Sequence, residues 1–325
     1  MNILVFGWYN HGNIGDESFK ISFKKVWNIH NFTFVDDITP EISDMNFDLC
    51  IIGGGDVICK SNLIKCSKLN CKKIAISVTI TNNSLTTELK ILDYIYVRDE
   101  LSLNNLKKIG FNNCELLPDI SLVLSGNNVN GLKLINESFK TNMSDRYEKV
   151  YAITINAHLL GNYNSESKIK TKFFSFVDEI SSFIDNTNAS FLFIPFSTRF
   201  PSDDRISNSY TNSQCKYYNK NSVIFDTLSV QDTLDVISAC DFNITTRFHG
   251  LIFSQCVDTP CITISFHDKF EGYLKTINQD YINYYDFSLK KINEFLVNND
   301  IYSDKKGIYK QQTLIDKYRA IHFIR

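Results

Sequence analysis

The clearest chemical signal in the sequence is the segment Thr245–Ile252, which reads Thr-Thr-Arg-Phe-His-Gly-Leu-Ile. It follows a predicted strand and opens a predicted helix, so we expect Arg247 and His249 at a helix N-terminus, where anions bind favourably. The same position lowers the pKa of a histidine unless an anion lies nearby. A single histidine is usually structural, but Arg-x-His between threonine and glycine at such a turn favours a functional role.

A second candidate is the glycine-containing loop Gly12–Glu17, which reads Gly-Asn-Ile-Gly-Asp-Glu between the first predicted strand and a predicted helix. Glycines let a backbone approach a ligand closely, and a helix N-terminus presents N–H groups to an anion. We therefore expect Asn13, Gly15 and Asp16 to border a cleft. The alternative is a tight turn in which Asp16 only caps the helix.

A cluster of three glycines, Gly53, Gly54 and Gly55, is followed by Asp56 and preceded by the apolar run Leu49–Ile52. Open α/β sheets bind ligands at the carboxyl ends of such strands. Adjacent glycines are costly in chain entropy and usually mark a place where a side chain would collide with something. The cluster therefore predicts a cleft wall, or else close packing against a neighbouring loop. It lacks the Gly-x-Gly-x-x-Gly order of a dinucleotide site.

Two further cations follow predicted strands. Arg98, within Tyr96–Ser102, could hold a carboxylate or phosphate with two parallel hydrogen bonds, which a lysine cannot do equally well. The alternative for Arg98 is a surface pair with Asp99. Lys269 ends the segment Ser265–Lys269 and could bind an anion at the same sheet edge, or lie exposed on the surface.

These residues need a scaffold that brings strand ends together, and the apolar pattern predicts one. Residues 1–125 and 150–302 each alternate short apolar runs with longer amphipathic segments, as in a doubly wound α/β domain. The polar segment 126–149 lacks strong periodicity and is the predicted linker, and residues 303–325 are predicted to contain a helix around Leu314 to Ile321. The predicted strands are Ile3–Phe6, Phe32–Val35, Leu49–Ile52, Ile74–Thr79, Tyr94–Val97, Glu115–Leu117, Val150–Ile155, Ser190–Pro195, Val223–Phe225, Phe242–Thr245 and Cys261–Ser265.

Two amphipathic patterns predict helices between these strands. Phe19, Phe23, Val26 and Trp27 share one face of a helix that is expected to begin near Asp16. A second helix has Val230, Leu234 and Ile237 on one face, and its predicted start signal is Ser229 with Asp232.

The composition excludes several classes of function. A net charge of -2 argues against binding of duplex nucleic acid, which needs clustered Lys and Arg. No run of residues reaches the roughly 20 apolar positions that cross a bilayer, which leaves only peripheral membrane contact open. The first residues read as a strand rather than a secretion signal, so a cytoplasmic location is expected. No two of the nine cysteines have C-x-x-C spacing, and the candidate metal-ligand pair, Cys66 with Cys71, is five positions apart. No structural metal is therefore expected.

Together these segments resemble the polysaccharide pyruvyl transferase family. Its members carry G-N-x-G-D-E near the N-terminus, a glycine cluster after an early strand, R-D-x-x-S, and a late R-x-H-G block followed by a T-P strand and a lysine. Order and spacing match over nearly the whole chain, although many relatives continue the glycine cluster with another glycine and an apolar pair. The matching segments are Gly12–Glu17, Gly53–Gly55, Arg98–Ser102, Arg247–Gly250 and Thr259–Lys269.

The resemblance implies a GT-B-like fold with two Rossmann-like domains facing a cleft. It also implies phosphoenolpyruvate as donor and co-substrate, a saccharide diol as acceptor, a cyclic pyruvate ketal as product, and no further cofactor. The implied roles are donor binding for Arg98, Arg247 and Lys269, proton donation for His249, proton acceptance for Asp16, and the acceptor side of the cleft for Asn13, Gly15, Gly53, Gly54, Gly55 and Asp56.

Two other functions remain open on the sequence. One is a GT-B glycosyltransferase in which Arg247 binds the diphosphate of a nucleotide sugar. The other is a saccharide-binding relative without catalysis, although retention of Arg98, Arg247 and His249 argues against it.

The charged residues of the motifs also predict that turnover needs no divalent metal. Arginines and helix N-termini can neutralise an anionic donor, and the sequence lacks a convincing acidic metal cluster. We expect full phosphate release from phosphoenolpyruvate after exhaustive chelation. Loss of activity on chelation that magnesium restores would contradict this prediction.

Overall fold

The chain forms two halves, each built on a parallel sheet of six strands. The computed structural model describes residues 1–81, 85, 87–140, 149–160, 168–216, 221–298 and 311–324. The strands are β1 (Asn2–Phe6), β2 (Asn31–Val35), β3 (Leu49–Gly55), β4 (Lys72–Val78), β5 (Tyr94–Val97), β6 (Cys114–Leu116), β7 (Val150–Thr154), β8 (Ser190–Phe193), β9 (Ser222–Ile224), β10 (Phe242–Thr245), β11 (Cys261–Ser265) and β12 (Ile282–Asn283).

Helices cover the faces of both sheets. They are α1 (Ile14–Val26), α2 (Pro40–Ser43), α3 (Lys60–Ser67), α4 (Glu100–Lys108), α5 (Asn128–Lys140), α6 (Lys168–Asn186), α7 (Asp204–Ser213), α8 (Val230–Ser238), α9 (Phe248–Cys256), α10 (Asp268–Thr276), α11 (Leu289–Asn298) and α12 (Gln311–Arg319). Short 3-10 helices span Glu88–Ile91, Ile120–Val123, Ala157–Leu160 and Tyr284–Asp286. None of the helices in the described ranges is both long and apolar enough to cross a membrane.

The N-terminal sheet has the strand order β2-β1-β3-β4-β5-β6. Its central strand β3 is buried at all seven positions, as expected for a parallel strand covered on both faces. The order reverses between β1 and β3, so a crevice opens beyond the carboxyl ends of these two strands. The glycine loop before α1 and the glycine cluster at the end of β3 both lie at this crevice.

The C-terminal sheet has the order β12-β11-β10-β7-β8-β9, with its reversal between β7 and β10. The Arg247–His249 segment follows β10 and therefore lies at the second crevice. Strand β12 was not predicted, because its two residues lie among tyrosines and asparagines without an apolar run. The predicted doubly wound α/β architecture is otherwise confirmed.

The helix starts follow capping chemistry. Helix α1 is capped by Asn13, whose side chain accepts a hydrogen bond from the Gly15 N–H, so the interpretation of Asp16 as the cap is wrong. Ser229 caps α8 and accepts from the Asp232 N–H at 3.0 Å, as predicted. These caps fix where each helix begins relative to the preceding strand end.

The predicted linker, 126–149, begins with helix α5, which packs closely on α8. A Cβ on Gly131 would lie 1.9 Å from the Asp235 carbonyl oxygen, so only glycine allows this approach. Asp235 also accepts hydrogen bonds from the Asn127 N–H and the Asn130 side chain, both at 2.7 Å. This part of the segment is therefore attached to the C-terminal half, while 141–148 lie outside the described residues. The domain boundaries stay a prediction.

The last helix, α12, returns to the N-terminal half. The Arg319 Nε donates to the Val26 carbonyl at 2.8 Å, and the Tyr318 hydroxyl donates to the Pro118 carbonyl. The helix predicted around Leu314 to Ile321 is thus present, and it covers α1.

The two halves are joined by backbone pairing as well as by apolar packing. The Ile14 N–H donates to the Phe196 carbonyl at 2.8 Å, and the Thr198 N–H donates to the Gly12 carbonyl at 3.0 Å. One cluster of buried apolar side chains continues from Val5 in the N-terminal sheet to Leu192 in the C-terminal sheet. The glycine loop before α1 is therefore held directly against the other half.

Candidate active site

A cavity of about 720 Å³ lies between the two halves at their crevices. Its size is in the range of small-molecule sites. From the N-terminal half it is lined by Trp8, Asn13, Asp16, Gly55, Asp56, Val57, Cys59, Asn62 and Arg98. From the C-terminal half it is lined by Asn156, His158, Phe196, Thr246, Arg247, Phe248, His249, Phe266, His267 and Phe270.

Arg247 is held by a fully buried carboxylate. Its Nε donates to Asp204 Oδ2 at 3.0 Å, and its Nη2 donates to Asp204 Oδ1. Asp204 also accepts from the N–H groups of Ala157, Phe196 and Ser197, at 2.9, 3.0 and 3.1 Å. These contacts fix the guanidinium and leave Nη1 unengaged by Asp204.

Arg98 is held in the same way from the other half. Its Nη1 forms an ion pair of 2.9 Å with the fully buried Asp119, and its Nε donates to the Thr79 hydroxyl at 3.0 Å. The guanidinium carbon lies 4.0 Å from the centre of the Phe248 ring, a cation-π contact across the two halves. Arg98 is thus buried beside the Arg247–His249 segment, and its partner is Asp119 rather than Asp99, which caps α4.

His249 projects from the start of α9 against the glycine loop of the other half. A Cβ on Gly15 would lie 2.3 Å from His249 Nδ1, so the glycine makes room for the imidazole. The ring also packs edge-on against Phe19, with ring centres 5.2 Å apart. The structure shows no hydrogen-bond partner for the buried Nε2 atom, which is unusual for a buried polar atom and favours a ligand contact.

Burial lowers the pKa of His249 to about 4, and the charges of Arg98 and Arg247 contribute in the same direction, while Asp119 raises it. The expected direction is confirmed, although desolvation is the main cause. The imidazole is therefore neutral near pH 7.

The glycine cluster divides into a structural and a cavity-lining part. A Cβ on Gly53 would lie 2.8 Å from Val5, and one on Gly54 would lie 2.1 Å from Phe19, so these two glycines permit close packing of the core. Gly54 and Gly55 also have positive φ angles of 79° and 82°. Gly55 and Asp56 line the cavity, whereas Gly53 and Gly54 do not.

The other predicted residues are placed as follows. Asn13 and Asp16 line the cavity from the start of α1, with Asp16 in the first turn of the helix. Lys269 is the second residue of α10, but its side chain lies outside the described part of the structure. Groups of three or more His, Cys, Asp or Glu suited to a metal ion are absent from the residues that the structure describes.

The family model for polysaccharide pyruvyl transferases matches residues 3–268. This range includes every residue that lines the cavity except Phe270. The chain belongs to this family. A search of curated proteins found no match to this sequence.

Solved structures share the fold of this family member at low sequence identity. The UDP-GlcNAc 2-epimerase of Methanocaldococcus jannaschii, in complex with UDP-GlcNAc and UDP, superposes with a TM-score of 0.60 at 11% identity, covering 99% of this chain and 100% of the other. The MnaA–UDP structure from S. aureus gives 0.64 at 8% identity, covering 98% and 94%. These similarities establish the GT-B-like fold that the sequence predicted.

Three polar residues at or next to the two arginines were not predicted from the sequence. Asp119 and Asp204 hold the two arginines, and His158 Nε2 lies 2.8 Å from the Ser202 hydroxyl, next to Arg247. Asp119 precedes the 3-10 helix Ile120–Val123, and Asp204 follows Asp203, the N-cap of α7. Aspartates are common at helix starts for local reasons, so neither position gives a sequence signal of a distant arginine partner.

Proposed function

We propose that this protein transfers the pyruvyl group of phosphoenolpyruvate onto two hydroxyls of a saccharide, which yields a cyclic pyruvate ketal and phosphate. One observation carries the proposal: Arg98 and Arg247, from opposite halves, and His249 line the same cavity. Both guanidiniums are near enough to His249 to lower its pKa. Family membership supports the same reaction class.

The arginine pair suits the charges of phosphoenolpyruvate, which carries a carboxylate and a phosphate. Each guanidinium is preorganised by a buried aspartate, so binding an anion costs little further ordering. Arginine matches the planar geometry of carboxylates and the edges of phosphates better than lysine does. The start of α9, which follows Arg247, adds the positive end of a helix dipole.

The proposed reaction proceeds in two stages. A proton first adds to the methylene carbon of the donor, which becomes a methyl group, and a sugar hydroxyl forms a C–O bond to the phosphate-bearing carbon while losing its proton. The carbon–oxygen bond to phosphate then breaks, and a second hydroxyl forms the second C–O bond. Its proton leaves with the phosphate. His249 is the proposed proton donor, and Asp16 accepts the proton of the attacking hydroxyl.

A neutral His249 must gain its proton before it can act as an acid. A bound donor brings negative charge beside the imidazole and neutralises Arg98 and Arg247, and both effects favour the charged form. The protonated imidazole of His249, which burial disfavours in the free protein, is thereby stabilised in the donor complex. The site would then hold an acid only while a donor is present.

We expect the pKa of His249 to rise on donor binding. In the free protein the ring should stay neutral between about pH 5 and pH 8, because its pKa is lowered, and saturating phosphoenolpyruvate should bring the titration into that window. Histidine-detected NMR, with His249→Gln to assign the signal, measures both midpoints. An unchanged midpoint at saturation would show that the donor does not bind beside the ring.

Arg247→Lys tests the geometry of the donor site apart from its charge. Lysine keeps the positive charge but loses the fork that grips Asp204, so we expect phosphoenolpyruvate to bind about tenfold more weakly and phosphate release to slow. Calorimetry gives the affinity. Arg205→Lys is the control, since Arg205 pairs with Asp203 and Asp226 and does not line the cavity. Equal donor affinity in wild type and Arg247→Lys would remove Arg247 from the donor site.

The proposal as a whole is tested by incubating the protein with phosphoenolpyruvate and a panel of hexosides. We expect phosphate release that depends on the sugar, with a mass gain equal to one pyruvate ketal. Release of nucleotide from a sugar donor, without consumption of phosphoenolpyruvate, would instead identify a glycosyltransferase. Saccharide binding without turnover of either donor would identify a non-catalytic relative.

A further inference from the structure

The cavity lining includes a group of residues that differs chemically from the arginines, Trp8, Asp16, Asp56 and Asn62, here called the Trp8 wall. Trp8 lines the cavity from the loop after β1, with 54% of its surface exposed. Asp16 and Asp56 line the same half of the cavity. A phosphate or carboxylate would be repelled by these carboxylates, whereas sugar hydroxyls can donate hydrogen bonds to them. The wall therefore suits a neutral polyol.

Trp8 is held in place by a neighbour outside the cavity lining. The His11 ring stacks on the indole with ring centres 3.8 Å apart and an angle of 14° between planes. His11 Nε2 in turn lies 3.0 Å from Asp36 Oδ2, which orients the imidazole. An exposed aromatic ring fixed in this way loses little conformational entropy when a ligand packs on it.

We infer that Trp8 is the stacking platform for a pyranose ring of the acceptor, and that it determines acceptor affinity. The C–H groups on one face of a pyranose carry partial positive charge and pack on the electron-rich face of an indole. Asp56 and Asn62 lie on the same wall, and because Asn62 Nδ2 donates to the Val57 carbonyl at 2.9 Å, its Oδ1 is oriented as an acceptor. This inference rests on the proposed function only in taking the acceptor to be a saccharide.

The size of the cavity agrees with two separate subsites. At about 720 Å³ it exceeds what a three-carbon donor fills, since volumes of ~300–1,000 Å³ hold much larger ligands. The donor occupies the side with Arg98 and Arg247, and the sugar occupies the side with Trp8.

Binding at Trp8 can be measured without turnover. The chain has two tryptophans, and Trp27 is buried with 4% exposure, so 5-fluorotryptophan labelling gives one reporter at the cavity and one internal reference. Methyl pyranosides of glucose, galactose and mannose are titrated in the absence of phosphoenolpyruvate. We expect at least one of them to shift the Trp8 fluorine resonance and leave that of Trp27 in place. No shift at Trp8 with any pyranoside would overturn the inference.

Kinetics separate this role from a structural one. Trp8→Ala should raise the KM for the acceptor sugar about tenfold or more, with the KM for phosphoenolpyruvate unchanged, and Trp8→Phe should recover most of the loss. Phe174→Ala is the matched control, because Phe174 is 52% exposed on α6 and does not line the cavity. Equal acceptor KM in Trp8→Ala and wild type would overturn the inference while leaving pyruvyl transfer intact. Sugar shifts at Trp8 without pyruvyl transfer would support it while contradicting the proposed reaction.

Discussion

His249→Ala is expected to lower the turnover number by roughly 100-fold or more while changing phosphoenolpyruvate affinity only modestly. The substitution removes the proposed proton donor but leaves Arg98 and Arg247 with their buried aspartates. The loss should therefore appear in kcat rather than in donor binding. Phosphate release under single-turnover conditions gives the rate, and calorimetry gives the affinity.

Two further variants separate proton transfer from packing. His249→Gln keeps a polar side chain at the position but cannot be protonated, so its rate should be as low as that of His249→Ala. His30→Ala removes a histidine that does not line the cavity and should leave the rate unchanged. Wild-type turnover in His249→Ala would assign the ring a packing role against Gly15 and Phe19, and another acid would be required.

Asp204→Asn should cost the protein about 3–5 kcal/mol of unfolding free energy, because it leaves the Arg247 charge partly buried without its counter-charge. The asparagine also replaces one acceptor oxygen with an NH₂ group that cannot accept, so either the Ala157 N–H, which pairs with Oδ1, or the Phe196 and Ser197 N–H groups, which pair with Oδ2, lose their acceptor. Urea unfolding measures the change. Donor affinity should fall as well, since Arg247 loses its fixed position.

The chain offers a matched control for this prediction. Asp226 forms an ion pair of 2.9 Å with Arg205, but its side chain is 82% exposed. Asp226→Asn removes the same charge from the same type of pair, and solvent screening should leave stability almost unchanged. If both variants unfolded at the same urea concentration, burial of the Asp204–Arg247 pair would contribute nothing to stability.

The sequence predicted strands and the cations that follow them because both depend on local pattern. Apolar runs such as Leu49–Ile52 mark buried parallel strands, and the carboxyl ends of such strands meet at one edge. The pattern therefore predicts a common cleft for Arg98 and Arg247, and the structure places both at one cavity. Their donor-binding role stays a prediction.

What the sequence could not provide were contacts between distant residues. Asp204 precedes its partner Arg247 by 43 positions and belongs to a run of polar residues that resembles an ordinary helix start. The sequence at Gly53 and Gly54 would be the same whether a ligand or a side chain occupied the space that the missing Cβ atoms leave. In the structure the Phe19 ring occupies that space at Gly54. Helix α5 buries Ile135 and Phe139, but much of its attachment to α8 uses glycine and asparagine, which give no apolar signal in the sequence.

The backbone pairing between Gly12–Ile14 and Phe196–Thr198 has a consequence for protein engineering. Whole halves cannot simply be exchanged between relatives, because each half supplies one edge of this pairing and one side of a continuous apolar cluster. A chimera would need both loops from the same parent. Each half made alone would expose the apolar surface that its counterpart now covers, and would aggregate instead of folding as a module.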